Sequence, residues 1–302
     1  MNPKYIINRL IFRFKNYGFL NTLKKSIEFF FQDKKINLDL INLPNNEKLE
    51  NIFLRFGTDK ANLDGKKTFY KIYKNINTRK KYYNYESWIN REDLYNFEYE
   101  MGLNYRPIYE KYFTEIKNKE LKILEIGVAG GHSLASWYCY FKKSKIFGID
   151  IKNKSYLQYS GRRLFYDKLD CLNNEQVNEY INNHGEFDII IDDSYHDHPF
   201  FELNIKNFFK TLKSGGLYFL EDFKDADDKL KIIRDYNFKN NTKLTSYNLT
   251  MYEIFNFIKN KKQFDHEILD KNFNEYLFTS VKNLTLHYPG HPSASLCVLE
   301  KI

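Results

Sequence analysis

Two acidic clusters in this chain each follow a short apolar run. Asp192-Asp193-Ser-Tyr-His196 comes after Phe187 to Ile191, and Glu221-Asp222 comes after Leu217 to Leu220. Between the runs, Phe200 to Leu212 has a helical pattern, the crossover that two parallel neighbouring strands require. Both clusters are therefore expected at the carboxyl ends of adjacent strands, the edge where open sheets bind ligands. Carboxylates crowded there repel one another unless a cation sits among them. A hard divalent ion with oxygen ligands meets that need. Taken alone, the first cluster reads equally well as a helix cap (Asp192), a solvated acid (Asp193) and a loop histidine (His196). The matching pair one strand along favours the ion. A divalent ion lowers the pKa of a bound oxygen, and a histidine with its ordinary pKa of ~6.5 can accept the released proton.

A second stretch, Leu121 to Ile151, reads LKILEIGVAGGHSLASWYCYFKKSKIFGIDI. An apolar run (Ile123 to Ile126) enters a turn with Gly127, Gly130 and Gly131. A helical pattern with Leu134, Trp137, Tyr138 and Phe141 follows, and then a second apolar run that closes on Asp150. This is strand, tight turn, helix, strand, the unit of a parallel sheet. An acid at the end of the second strand can hydrogen-bond ribose hydroxyls, so a nucleoside-bearing cofactor is expected. The glycine spacing is G-x-x-G-G rather than the dinucleotide G-x-G-x-x-G. Glu125, two residues before the first glycine, would repel a pyrophosphate but suits a cationic ligand. S-adenosylmethionine has no phosphate and carries a sulfonium and an ammonium.

The elements that must position these residues follow in order. Residues 1 to about 35 have the spacing of one or two basic amphipathic helices, which pack on the protein or rest on an anionic membrane surface. Asn42 to Asn45 reads as a linker, 47–57 as a helix, and 61–104 as an irregular insert. Tyr105 to Phe113 begins a helix with Pro107 in its first turn. Later elements are a strand at Leu164 to Tyr166 with Asp170 in the loop after it, and helices at Glu175 to Asn183, Asp227 to Tyr236 and Leu249 to Lys259. Two long strands, Tyr276 to Tyr288 and Ser293 to Lys301, flank Pro289-Gly290. Alternating strands and helices with a closing hairpin give an α/β fold: a doubly wound, mostly parallel, Rossmann-like sheet with one antiparallel edge and a helical N-terminal extension.

With 302 residues and 42% hydrophobic content the chain can build a large core, and at 18% aromatic it fills that core with Tyr and Phe. A net charge of +8 favours anionic partners. Cys139, Cys171 and Cys297 form no C-x-x-C pair, so neither zinc nor a disulfide framework is indicated and reduced thiols of a cytoplasmic protein fit. No run of ~18 apolar residues marks a transmembrane helix, and the N-terminus lacks the pattern of a signal peptide.

The order LEIGVAGGHS, FGIDI, FDIIIDDSYH and LKSGGLYFLED, with FGTDK and a Y-x-x-x-Y helix upstream, resembles the metal-dependent sugar O-methyltransferases. That group includes the deoxysugar enzymes of the mycinamicin and tylosin pathways and the cephalosporin-hydroxylase and rhamnosyl methyltransferase group. The resemblance is good over 105–225 and touches 56–60. It implies a class I methyltransferase domain at 105–302 behind an extension at 1–104. It implies that Asp193, Glu221 and Asp222 hold a metal, expected to be magnesium, with His196 as general base. It also implies that Thr58, Lys60, Glu125, Gly127, Gly131, Ser133, Asp150, Asp170 and Asp192 bind S-adenosylmethionine. The expected acceptor is a sugar or nucleotide-sugar, of the kind used in surface polysaccharide biosynthesis, whose adjacent hydroxyls chelate the ion. No nucleic acid is expected, because no Asn/Asp-Pro-Pro-aromatic motif follows Ile191. A homo-oligomer is expected, cytoplasmic or peripheral at the inner membrane face through the basic N-terminal helix.

Other readings remain open on the residues alone. A catechol-type methyltransferase shares the carboxylate cluster. An NAD-dependent sugar-modifying enzyme is disfavoured by Glu125, and a non-catalytic binding subunit by the intact acids. His198 reads as a loop residue, His287 and His291 as surface residues, and Tyr105 and Tyr109 as pocket or packing residues.

Overall fold

Seven strands form one sheet. In chain order they are β1 (Lys122–Ile126), β2 (Lys145–Asp150), β3 (Leu164–Lys168), β4 (Phe187–Asp192), β5 (Leu212–Glu221), β6 (Val281–His287) and β7 (Leu296–Lys301). The computed structural model describes residues 35–61, 103–240, 248–289 and 294–302. The strands lie in the order β3-β2-β1-β4-β5-β7-β6, parallel except for β7, which runs antiparallel to both neighbours. The direction of winding reverses between β1 and β4, and the crevice at their carboxyl ends is where such sheets bind ligands. The doubly wound sheet with an antiparallel C-terminal edge is the expected one.

β1 and β4 are buried on both faces, which is why they read as nearly continuous apolar runs. On one face Leu124, Ile126, Phe147, Ile149, Ile190 and Leu220 form a core with four helices. Below, α1 is Leu49–Phe56, α2 Arg106–Phe113, α3 His132–Tyr140, α4 Asn174–His184, α5 Phe200–Phe208, α6 Phe223–Asn240, α7 Met251–Lys259 and α8 Lys271–Ser280. The four are α4, α5, α7 and α8, joined in this core by Phe223 and Ala226 of α6. On the other face Phe53 of α1, Tyr109 and Phe113 of α2, Trp137 of α3 and Phe219 of β5 pack mostly edge to face, with ring centroids 4.9–6.5 Å apart. Such pairs contribute ~0.5–1.5 kcal/mol each beyond the area they bury. This aromatic layer fixes α1 and α2, and with them the segments on either side of the 61–104 insert.

Helix starts follow local chemistry. The Asn173 side chain accepts the N–H groups of Glu175 and Gln176 ahead of α4, and Thr250 with Glu253 forms a capping box on α7.

Two expectations are corrected. Tyr276 to Ser280 is helical, not extended, because Asp270 caps α8 and Phe273 and Leu277 bury one helical face. The helical pattern over Phe200 to Leu212 ends early: α5 stops at Phe208, and the strand β5 begins at Leu212, with its register against β4 shifting between Phe187 and Ile189.

Met1–Asn37 is a unit of its own, of which Lys35 to Asn37 are described, and Leu38–Ile302 is a second. The basic helices expected up to about residue 35, the bulk of the 61–104 insert, Gly290 and His291 lie outside the described residues. Among the described residues no helix is long and apolar enough to cross a membrane.

Candidate active site

Asp193 follows β4, and its N–H continues the ladder to the Ile126 carbonyl at 2.9 Å. Asp222 follows β5, held by its N–H to the Ser295 carbonyl at 2.7 Å and by a left-handed φ of 54°. Backbone strain of that kind in a non-glycine residue concentrates at functional sites. From these adjacent strand tips one oxygen each of Asp193 and Asp222 and one nitrogen of His196 come within 4.8 Å of one another. His196 Nε2 lies 3.2 Å from Asp193 Oδ1 and 3.6 Å from Asp222 Oδ2, and its Nδ1 lies 3.7 Å from Asp225 Oδ2. Burial disfavours the imidazolium, but Asp193, Asp225 and Asp222 outweigh it and push the His196 pKa up to about 11. Burial likewise raises Asp222, to about 7.

Glu221 is placed differently. Its Oε1 accepts the Tyr109 hydroxyl and its Oε2 takes the Lys60 ammonium at 2.5 Å. Lys60 Nζ also meets Asp193 Oδ2 at 2.6 Å. Burial opposes a charge on Lys60, but Asp193, Glu221 and Glu125 hold its pKa well above the ordinary lysine value. Tyr105, the residue just before α2, donates to Asp222 Oδ1 at 2.5 Å. Lys60 reaches the acids because the Phe56-to-Lys60 turn is zipped to the start of α2: Leu103 N–H bonds to the Asp59 carbonyl at 2.7 Å and Tyr105 N–H to that of Lys60 at 3.0 Å. Thr58 is buried in the same turn, where its hydroxyl accepts the Lys60 N–H at 3.4 Å.

The glycine turn lies across the crevice. Gly127 has φ +84°, and a Cβ there would stand 2.1 Å from the Asp193 carbonyl oxygen; close passage of the chain after β4 therefore requires glycine. Gly131 (φ +88°) starts α3 against Leu157. Glu125 is fully buried beneath the turn, its Oε1 taking the Ser133 hydroxyl at 2.5 Å and the Trp137 indole N–H at 3.4 Å. Its Oε2 has no hydrogen-bond partner among the described residues. Burial raises its pKa to about 7. Asp150 Oδ2 accepts the N–H groups of Val128 and Ala129 at 2.9 and 2.8 Å, tying the turn to the end of β2. Asp170 lies half-buried in the loop after β3 and accepts the Leu172 N–H at 3.0 Å. Asp192 faces inward, fully buried, holding the Tyr218 hydroxyl at 2.8 Å and the Asn204 amide at 3.1 Å.

Thus Asp193, His196 and Asp222 meet at one point, Lys60 links Glu221 to Asp193, Glu125 and Ser133 meet under the glycine turn, and Asp192 supports the strand tip from below. Tyr105 and Tyr109, read as pocket or packing residues, stand at the site as partners of Asp222 and Glu221, and their i, i+4 spacing brings both to one side. His198 lies in the loop after β4, as expected, and is buried there. His198 Nδ1 bonds Glu202 of α5, and its Nε2 lies 3.8 Å from Asp227 of α6. His287, half-buried, meets the Tyr112 hydroxyl at 3.2 Å rather than standing free on the surface.

No family model matches this chain. It is similar to curated sugar O-methyltransferases. It is 32% identical over 126 residues to the mycinamicin VI 2''-O-methyltransferase of Micromonospora griseorubida, a match covering 39% of this chain and 31% of that one. With the demethylmacrocin O-methyltransferase of Streptomyces fradiae it shares 32% over 125 residues, covering 39% and 31%. A Streptomyces olivaceus 3'-O-methyltransferase of a rhamnosyl-tetracenomycin is 29% identical over 130 residues, covering 39% and 32%. The chain spans about a third of the length of these relatives. Among solved structures, a methyltransferase of the mycinamycin pathway in complex with Mg and SAH superposes with a TM-score of 0.51 at 20% identity, covering 76% of this chain and 57% of that one. That likeness establishes the methyltransferase fold.

Proposed function

We propose that this chain is a divalent-metal- and S-adenosylmethionine-dependent O-methyltransferase acting on a sugar hydroxyl. The observation that carries the reading is the convergence of Asp193, His196 and Asp222 from neighbouring strand tips, beside a glycine turn that overlies a buried carboxylate. The donor set suits a hard ion: Asp193 Oδ1 and Asp222 Oδ2 are carboxylate oxygens that both face His196 Nε2, and magnesium is commonly held by one or two carboxylates with water and substrate completing its shell. The unsatisfied Glu125 Oε2 suits a cationic methionine moiety, and Asp150 at the end of β2 and Asp170 in the loop after β3 would take the nucleoside.

Asp193 and Asp222 would hold the ion, which when bound lowers the pKa of an alcohol oxygen. S-adenosylmethionine when bound supplies an electrophilic methyl group. His196 Nε2 faces both aspartates and accepts the hydroxyl proton once positive charge balances them; Asp225 steadies the ring from its Nδ1 side. Gly127 and Asp193 keep the glycine turn and the acid loop in contact, so methyl donor and acceptor meet at a fixed place, and positioning of that kind supplies ~7–11 kcal/mol of a barrier.

The relatives' names point to glycosylated acceptors, and the net charge of +8 suits a nucleotide-linked or otherwise anionic one. We assign the acceptor to nucleotide-sugars or surface-glycan precursors made in the cytoplasm. A screen of nucleotide-sugars and glycosides with methyl-labelled cofactor tests this. Label on a sugar oxygen is expected, and label on a catechol acceptor alone would overturn it.

A further inference from the structure

We infer that Glu202 is a positioning residue for the general base: through His198 it fixes the loop after β4 that presents His196 to the acceptor. The inference rests on the reading of His196 as that base. One helix, α5, reaches every second residue of the loop. The Asn204 amide donates to the Ser194 hydroxyl at 3.0 Å, and Glu202 bonds His198 Nδ1. Between them the Phe201 ring stacks against that of His196, with centroids 6.3 Å and planes 22° apart. Phe201, Glu202 and Asn204 are all fully buried. Helix α6 adds two more contacts: Lys229 Nζ donates to the His196 carbonyl at 2.6 Å, and His198 Nε2 lies 3.8 Å from Asp227 Oδ1.

Glu202 has no part in the methyl transfer itself, yet a buried carboxylate is costly to keep without partners. Two histidines supply them. Burial opposes the ionised form, but His198 and His266 outweigh it and hold the carboxyl below its ordinary range. His266 Nδ1 accepts the N–H groups of Ile268 and Leu269 at 3.2 Å each, which leaves its proton on Nε2, 3.7 Å from Glu202 Oε1. Asp227 in turn accepts the N–H groups of Met251 and Tyr252 at the start of α7, at 2.6 and 3.0 Å. His198 thus moors the base loop to α5, to α6 and, through Asp227, to α7. Well-packed apolar residues often replace such buried charges at no loss of stability, so what the network adds is a fixed place for the loop.

The test compares turnover with binding and stability in the full chain, by labelled methyl transfer to whichever acceptor the screen identifies. Glu202→Gln keeps the size of the side chain and removes its charge. Its kcat should fall ~10–100-fold, the penalty of a base displaced by about 1 Å, while acceptor KM and S-adenosylmethionine affinity stay unchanged. His198→Leu should lose as much. His198→Asn, which offers an amide donor near the place of Nδ1, should recover most of that loss. A merely structural network would lower Tm, keep kcat in the folded protein and give the two His198 variants equal turnover. Should Glu202→Gln fail to fold, the His198 variants carry the test. Full turnover in Glu202→Gln, or equal turnover in His198→Leu and His198→Asn, overturns the inference while loss of turnover in His196→Ala still identifies the base. If His196→Ala keeps full turnover, the base reading itself falls, and the inference with it.

Discussion

Gly127 lies directly against Asp193, with the Asp193 carbonyl oxygen 2.1 Å from where a Cβ on Gly127 would be. The glycine turn after β1 and the loop that carries Asp193 are therefore in backbone contact at the switch point between β1 and β4. Gly127→Ala should strain a left-handed backbone by ~1–3 kcal/mol and push the Asp193 loop aside. Thermal unfolding and separate titrations with Mn2+ and S-adenosylmethionine should show stability and both affinities falling together. Loss of only one affinity would separate the two sites.

His196→Ala should lower turnover by ~10²–10⁴-fold, the usual contribution of a general base, while S-adenosylmethionine affinity stays unchanged. Steady-state kinetics alongside cofactor titration checks this, and unaltered turnover would remove His196 as the base.

Glu125 keeps its proton in the folded chain up to about pH 7, because burial raises its pKa from the ordinary 4.5. The unfolded chain loses that proton earlier, so between those values the folded state binds more protons and stability falls as pH rises. Glu125→Gln should remove this part of the slope, worth ~1–3 kcal/mol or a few degrees in Tm. Melting curves of both proteins at pH 5 and pH 8 provide the comparison; identical slopes would show that Glu125 is ionised throughout.

Tyr109→Phe removes the hydroxyl donor to Glu221 and leaves that buried carboxylate oxygen short of a partner. Urea unfolding should show a loss of ~1–3 kcal/mol. Tyr105→Phe should cost a similar amount at Asp222. Unchanged midpoints would mean that water replaces both hydroxyls.

The sheet and the strand tips were legible because parallel strands buried on both faces leave short apolar runs, each ending where the chemistry begins. Asp193, His196 and Asp222 lie immediately after such runs. The Lys60–Glu221 pair was not legible: 161 residues separate its partners, and no local pattern shows which acid a distant lysine will meet. Adjacent residues at a strand end point to opposite sides, and here Asp193 faces His196 while Asp192 is held by Tyr218 and Asn204. Tyr276 to Ser280 runs directly into the strand that follows, and the Asp270 cap together with the Phe273–Leu277 spacing makes it a helix.

The central claim is that Asp193 and Asp222 share a divalent ion that readies a sugar hydroxyl for methylation. Its most direct test is labelled methyl transfer to the sugar acceptor found by screening, measured with Mg2+, with excess chelator, and with Mg2+ restored. Transfer should stop in chelator and return with Mg2+ in the unaltered protein, and be lost in Asp193→Asn and Asp222→Asn. Undiminished transfer in chelator, or from either variant, would contradict it.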